Sequence, residues 1–283
     1  MQTQKKYTQN ISCEFFPPKT DQGKEKLANT LNELKTIKPS YISVTFGAGG
    51  STQEGTLETV LSIKSEGIDA APHLSCIGSS QDNIRTILDE YKAQGITRIV
   101  ALRGDMPSGM RAMGEFRYAN ELISFIRSEY GDSFHLEVAA YPEFHPQAAT
   151  AQADLSNFKR KVDAGANAAI TQYFYNIDAY LRFVDDCERM GLDLPIVPGI
   201  MPITNYIQLA RFSDMCGAEI PRWLRQRLAG YGDDVASLKA YGLDVTSDLC
   251  DSLLKQGAPG LHFYTMNQSA STLAVCDNLG ITP

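Results

Sequence analysis

The chain has 283 residues, 43% of them hydrophobic, and a formal net charge of −7 at pH 7. That length suits two small domains or one α/β barrel of about 250 residues, and an acidic balance without a basic stripe speaks against nucleic-acid binding. No run of about 18 apolar residues occurs and the chain opens on polar residues, so neither a membrane span nor a secretion signal is expected.

Residues 11–16 are strand-like, the polar residues 1–10 before them are expected to be flexible, and Pro17-Pro18 ends the strand. Thr20 or Asp21 caps a helix in which Leu27, Leu31, Leu34 and Ile37 follow helical spacing, stopped by Pro39. A strand over 41–46 runs into Gly47-Ala48-Gly49-Gly50-Ser51-Thr52, and a helix follows to about 66. Next come a strand over 68–74 and a helix over 81–94, with Ile84, Ile87, Leu88 and Tyr91 on one side. The strand over 96–102 halts on Arg103-Gly104-Asp105, and Pro107 forbids its continuation.

A helix over 118–130 ends at Gly131, and a strand over 134–141 precedes a helix over 150–164. The strand over 167–173 leads to a helix over 176–190, closed by Gly191, and the strand over 194–198 to a helix over 204–216. A short extra helix over 223–228 and a longer one over 233–256, with Gly242 a candidate break, come before a strand at 260–265 and a helix at 269–279. Eight strands alternating with helices in one unbroken series predict a (β/α)8 TIM barrel, one domain over residues 1–283. The alternative is a doubly wound open sheet with a small second domain.

In a barrel, side chains at the carboxyl ends of the strands converge on one mouth. Glu14, Thr45, His73, Arg103, Asp105, Tyr141, His145 and Gln172 fall at such positions. Burying polar groups without partners costs roughly 1–3 kcal/mol each, so their recurrence at one end points to a site. Glu14, set in Cys-Glu-Phe-Phe, is expected to be desolvated and its pKa raised, as a general acid at neutral pH requires. Its other reading is a structural glutamate paired to a buried arginine. Arg103 and Asp105 can face one pocket if the chain stays extended, or form a surface ion pair that closes a loop.

His73 and His145 read as hydrogen-bonded histidines rather than metal ligands, since no third His or Cys stands at ligand spacing and H-E-x-x-H is absent. The six cysteines are scattered without a C-x-x-C, as reduced thiols of a cytoplasmic protein would be. On the helix after the fifth strand, Ala151, Leu155, Phe158 and Val162 lie within about 60° of one another at 100° per residue, which predicts the core face. Asp154, Asn157 and Lys161 share a second arc, with Arg160 beyond it. This is either a solvated face with an Asp-to-Lys pair or a surface within reach of a long ligand over the mouth.

The glycine-rich turn fails G-x-G-x-x-G at its last position and no P-loop occurs, so neither a Rossmann fold nor an NTPase is indicated. Gln208 and Phe212 are i,i+4 neighbours able to present a polar and an aromatic contact together, although Phe212 also reads as plain core.

Several ordered segments carry a family resemblance: Cys-Glu-Phe-Phe-Pro-Pro-Lys-Thr, Ile-Ser-Val-Thr-Phe-Gly-Ala, Ala-Ala-Pro-His-Leu-Ser-Cys-Ile, Ile-Val-Ala-Leu-Arg-Gly-Asp, Ala-Ala-Tyr-Pro-Glu-Phe-His-Pro, Lys-Arg-Lys-Val-Asp-Ala-Gly-Ala, Ile-Thr-Gln-Tyr-Phe-Tyr, Val-Pro-Gly-Ile-Met-Pro-Ile and Leu-His-Phe-Tyr-Thr-Met-Asn. Together they resemble the flavin-dependent, single-domain methylenetetrahydrofolate reductases of bacteria. The resemblance implies FAD across the barrel mouth, lined by Thr45, His73, Arg103, Gly104, Asp105, Tyr118, Ala119, Tyr141 and His145. Asp154, Asn157, Arg160 and Lys161 would hold its adenosine diphosphate end. It further implies Glu14 as general acid, Asp105 as the carboxylate beside the flavin's pyrimidine end, and Gln172, Gln208 and Phe212 as contacts to folate or nicotinamide, with Glu14, Thr45 and Asp105 also meeting substrate.

The implied activity is reduction of 5,10-methylenetetrahydrofolate to 5-methyltetrahydrofolate by NADH or NADPH, ping-pong through FAD, feeding methionine synthesis in a cytoplasmic homo-oligomer. One departure stands out: Gln268 occupies a substrate-binding position where well-studied members carry arginine, and glutamine cannot grip a carboxylate bidentately. Rival readings are another pterin- or flavin-handling barrel, such as a folate methyltransferase domain or a proline-dehydrogenase-like oxidase, and an inactive folate- or flavin-binding module.

Overall fold

The computed structural model describes residues 1–46, 53–105 and 114–281; the glycine-rich turn at 47–52 and most of the 108–116 loop lie outside the described residues. Its strands are β1 (Asn10–Phe15), β2 (Tyr41–Val44), β3 (Ala70–Ser75), β4 (Arg98–Leu102), β5 (His135–Ala140), β6 (Ala168–Thr171), β7 (Ile196–Val197), β8 (Gly199–Ile200) and β9 (Gly260–Tyr264). All pair in parallel, in the order β7-β6-β5-β4-β3-β2-β1-β9-β8. The short β7 and β8 flank Pro198, whose ring leaves no N–H to donate. There the strand changes partner: β7 bonds to β6 and β8 to β9, while the Pro198 carbonyl accepts from His262 N–H at 3.0 Å. These halves of one strand occupy the two edges of the sheet, and so close it into the expected (β/α)8 barrel.

The helices are α1 (Asp21–Leu34), α2 (Gln53–Ser65), α3 (Gln81–Ala93), α4 (Ala119–Tyr130), α5 (Ala151–Asp163), α6 (Ile177–Arg189), α7 (Tyr206–Cys216), α8 (Arg222–Gly230), α9 (Val235–Gln256) and α10 (Ala270–Asn278). Thr20, Ser80, Thr150, Asn176 and Asn205 cap their helices by accepting a backbone N–H two or three residues on. The longest helix, α9, runs unbroken through Gly242. A Cβ there would stand 2.3 Å from the Ile203 carbonyl oxygen, so this glycine permits close packing and does not break the helix. On α5 the expected core face is only partly covered: Phe158 is buried, Leu155 and Val162 pack against the core, and Ala151 in the first turn is exposed.

Strand alternation sorts the side chains into two sets. Cys13, Phe15, Ile42, Val44, Leu74, Ile99 and Val138 join the large core beneath the helices. Tyr41, Ala71, Val100 and Ile170 form a separate cluster inside the barrel. The register sets Ser12 beside Tyr41 and His262, and Val100 beside His73 and Glu137, so polar side chains share that interior.

The amino-terminal stretch, expected to be flexible, makes specific contacts. Gln4 is buried, its amide donating to the Leu194 carbonyl at 3.1 Å and accepting from Ile196 N–H at 2.8 Å. The Tyr7 hydroxyl reaches Asp193 at 3.0 Å. Polarity here serves an unpaired strand end rather than solvent. Among the described residues, no helix is long and apolar enough to cross a membrane.

Candidate active site

Glu14 lies on β1 near its carboxyl end and is only 8% exposed. Its Oε2 stands 3.3 Å from His73 Nε2, on β3, and 3.8 Å from His262 Nε2, on β9. His262 is fully buried, and its Nδ1 pairs with Ser12 Oγ at 2.7 Å. Burial alone pushes the Glu14 carboxyl up, but the two imidazoles outweigh it and hold the group down at about 2. The sequence expectation of a raised pKa is therefore corrected. Its partners are histidines, neither the apolar cage nor the arginine that local sequence suggested. His262 was missed, although one polar residue on the interior parity of Gly-Leu-His-Phe-Tyr was the signal for it.

The end of β1 is braced from β9. Thr265 Oγ1 donates to the Glu14 carbonyl at 2.7 Å, and the next two residues, Met266 and Asn267, take left-handed φ of 53° and 57°. This turn brings the Asn267 amide onto the backbone of Phe16. Nearer the mouth, Thr45 sits just past β2, its N–H bonded to the Phe15 carbonyl at 2.9 Å and its hydroxyl buried without a partner. The His73 Nε2 likewise has no aligned hydrogen bond, although it stands 3.3 Å from Glu14 Oε2.

At the end of β4, Arg103 bonds to Gln147 Oε1 at 2.6 Å and to the Gly104 carbonyl at 3.2 Å. It does not close a loop on Asp105, whose side chain is exposed. Gly104 has φ of +84°, and a Cβ would meet Ser75 Oγ at 2.8 Å, so only glycine suits this turn. The carbonyls of Arg103 and Tyr118 both stand 3.8 Å from the Cys76 thiol, which places the start of α4 beside β4. The Tyr118 side chain is exposed and Ala119 is half-buried.

Past β5, the rings of Tyr141 and His145 meet edge to face, centroids 4.6 Å apart. His145 N–H donates to Asp154 at 2.9 Å, and Gln147 N–H donates to His145 Nδ1 at 3.0 Å, which leaves Nε2 as the protonated nitrogen. Burial lowers the His145 pKa, Arg103 and Lys161 push it the same way, and Asp154 and Asp105 oppose them. Those five residues thus form one electrostatic cluster. The Lys161 ammonium donates to the Ala139 carbonyl, and burial pushes it down to about 8 against the pull of Asp154. Asn157 and Arg160 pair with each other at 2.7 Å on the exposed side of α5.

Burial also raises Tyr141, to about 12, while a hydrogen bond from Gln172 acts the other way. Gln208 is exposed in the first turn of α7. Phe212 is half-buried and belongs to none of the hydrophobic clusters, so it is not plain core. Gln268 is exposed directly after the left-handed turn.

A buried carboxylate on β1 lies between histidines of β3 and β9, and a second cluster of polar side chains follows β4 and β5 at the carboxyl ends of the strands, where (β/α)8-barrel enzymes place their sites. Residues 1–280 match the profile of the Methylenetetrahydrofolate reductase family, and the chain belongs to that family of oxidoreductases. It is 44% identical over 277 residues to the 5,10-methylenetetrahydrofolate reductase of Escherichia coli (strain K12), covering 97% of this chain and 92% of that one. It is also 39% identical to Methylenetetrahydrofolate reductase (NADH) 1 of Arabidopsis thaliana, across 96% of this chain and 48% of the plant protein. Among solved structures, an uncharacterized protein from Clostridium thermocellum that binds two copies of 5-methyl-5,6,7,8-tetrahydrofolic acid shares the fold. The TM-score is 0.67 at 17% identity, covering 96% of this chain and 94% of that one.

Proposed function

We propose that this protein reduces 5,10-methylenetetrahydrofolate to 5-methyltetrahydrofolate, with NADH or NADPH as electron source and FAD as resident cofactor. The observation that carries the reading is Glu14: a buried carboxylate between two imidazoles, in a chain whose family is named for this folate. The residues present fit FAD. Thr45 offers a buried hydroxyl without a partner, Gly104 leaves no room for a Cβ, and Lys161 carries an ammonium that burial destabilises and an anion would restore. Arg103, Tyr118, Ala119, Tyr141 and His145 would line the same group, while Lys161, Arg160, Asn157 and Asp154 would hold its adenosine diphosphate end. When bound, FAD would supply hydride chemistry between the nicotinamide and the folate.

The protein's own residues do the rest. Glu14 delivers a proton to the folate nitrogen, opening the five-membered ring and leaving a cationic iminium on the substrate. Asp105 faces that cation with a negative charge and lowers the barrier to its reduction. Gln172, Gln208 and Phe212 orient the substrate, and Gln268 replaces a bidentate carboxylate grip with a single amide contact. The same reading makes the chain one catalytic domain, working in the cytoplasm as a homo-oligomer and feeding methionine synthesis.

The test is anaerobic. FAD bound to the purified protein should bleach with one or both nicotinamides and recover its colour when methylenetetrahydrofolate is added. Failure to bind FAD favours the methyltransferase reading, and bleaching without recovery favours a different oxidase.

A further inference from the structure

A carboxylate held at about 2 carries no proton at neutral pH, yet a general acid must have one to give. The residues behind Glu14 supply a place to keep it. His262 is fully enclosed, with Nδ1 at 2.7 Å from Ser12 Oγ, and Nε2 facing Glu14 Oε2 at 3.8 Å without any other partner. Around the ring stand Tyr41 from β2, stacked at 6.1 Å, and Tyr264 from its own strand, edge-on at 5.4 Å. His73 from β3 reaches the same carboxylate oxygen at 3.3 Å. Beyond Tyr41 lie Arg98, 4.4 Å from its ring, and Glu137, paired to Arg98 at 2.5 Å. A serine hydroxyl accepts from Nδ1–H, a hydrogen present both in the imidazolium and in the neutral ring that has lost its Nε2 proton, so Ser12 suits both protonation states of the ring. His73 is nearer to Glu14, at 3.3 Å, but its ring lacks a second side-chain partner of the kind that Ser12 gives His262.

We propose that His262, its ring fixed by Ser12, is a positioning residue that stores the proton Glu14 delivers and passes it across when substrate covers the mouth. This rests on the reading of Glu14 as the acid. In the transfer the Nε2–H bond of the imidazolium breaks, its electron pair stays on nitrogen, and the proton forms an O–H bond on Glu14 Oε2. An ion pair becomes two neutral groups, and Nδ1 keeps its hydrogen, so Ser12 remains its acceptor throughout. Covering the mouth drives this step, because excluding water disfavours the charged carboxylate. Contact must tighten to about 2.6–3.2 Å, and catalytic hydrogen bonds often shorten this way when substrate binds. After product leaves, one proton from solvent restores the imidazolium.

The chain has four histidines, so ¹⁵N-histidine NMR of the protein, with and without FAD, can resolve each ring by single substitution. His262 should carry protons on both nitrogens at neutral pH. Glu14→Gln, which removes the counter-charge, should lower that doubly protonated fraction. Ser12→Ala should lower it too, and Ser12→Thr should keep it. In single turnovers, the folate step of Ser12→Ala should slow about tenfold at neutral pH and recover as the pH is lowered, with no such change in flavin reduction. His262→Gln should lose that step by about 10²-fold at every pH.

A structural role alone would slow both half-reactions and leave the pH profile unmoved. A singly protonated His262 in the parental protein, unaffected by Glu14→Gln, overturns the proposal, as does a parental pH profile in Ser12→Ala. Inactive Glu14→Gln beside fully active His262→Gln and Ser12→Ala overturns the proton store alone. Full folate turnover in Glu14→Gln removes the acid reading itself, and this proposal with it.

Discussion

Asn267 grips Phe16 from both sides: its side chain accepts from the Phe16 N–H and donates to the Phe16 carbonyl, each at 2.8 Å. The clamp ties the turn after β9 to the end of the strand that carries Glu14. Asn267→Ala should lose both bonds and place a side chain with no local hydrogen bond at left-handed φ, lowering stability by about 2–3 kcal/mol. Asn267→Gly loses the clamp but not the backbone tolerance, so it should melt above the alanine variant. Equal melting temperatures for the two would show that the turn stores no strain.

On the proposed reading, Lys161 ties cofactor binding to pH. Its folded pKa, about 8, lies below the ordinary value of 10.5, so the protonated form costs stability in the free protein. That cost is present below about 8 and disappears as pH rises toward the ordinary value. An anionic diphosphate beside the ammonium raises its pKa again, so FAD binding near pH 8 should take up protons. Calorimetry in buffers of different ionisation enthalpy reads this directly. Lys161→Ala should abolish the uptake and weaken FAD binding tenfold or more, on the order of 1.5–3 kcal/mol. A folded variant with unchanged affinity and unchanged uptake would remove Lys161 from the cofactor site.

The two carboxylates should separate cleanly. Glu14→Gln keeps the shape of the side chain but cannot donate the proton, a role worth typically 10²–10⁴-fold, so folate reduction should collapse far more than flavin reduction does. If Asp105 lies beside the cofactor as proposed, Asp105→Asn removes a negative charge there; the potential of bound FAD should rise while folate reduction slows, since the substrate cation loses its counter-charge. Stopped-flow traces of each half-reaction with a redox titration decide the matter. A lowered potential in Asp105→Asn would sink the electrostatic account.

Glu14 also leaves a signature in stability. Its folded pKa is depressed from 4.5 to about 2, so its contribution is fully present above the ordinary value and is lost as pH falls through the folded one. Glu14→Gln should therefore melt below the parental protein at neutral pH, and the gap should narrow from about pH 4.5 downward. A gap that widens on acidification contradicts the histidine cage.

Gln268 tests substrate grip. Gln268→Arg should lower the folate KM and barely change nicotinamide kinetics, because the guanidinium offers a bidentate grip on a carboxylate. Equal effects on both half-reactions, or none on either, would count against a folate contact at this position.

The strand series, the barrel and most mouth residues were legible in the sequence because they follow local rules: period-2 apolar runs, caps, and polar residues where strands end. What was not legible depends on distant partners. The sign of the Glu14 shift is set by His73 and His262, which lie 59 and 248 positions further along the chain. The role of Gln4 comes from strand atoms some 190 residues away. Pro198 could be read as a strand end, but not as the point where one strand bonds both edges of the sheet. On α5 periodicity placed Phe158 correctly, yet Ala151 falls in a first turn that projects beyond the core.

The floor of the barrel has a bearing on heat tolerance. Tyr41, Ala71, Val100 and Ile170 give the interior little apolar mass, and below them the buried Glu137 pairs with both Arg98 and His135, while the half-buried Arg98 also reaches Asp69. Ion pairs enclosed this way return less cohesion than apolar packing of equal volume, whereas stranding one partner costs about 3–5 kcal/mol. Glu137→Leu alone, which strands Arg98 and His135, should lower the melting temperature, and adding Arg98→Met should recover part of that loss. Because Glu14 sits nearer the mouth, heat tolerance can be altered at this floor while the chemistry above keeps its own residues.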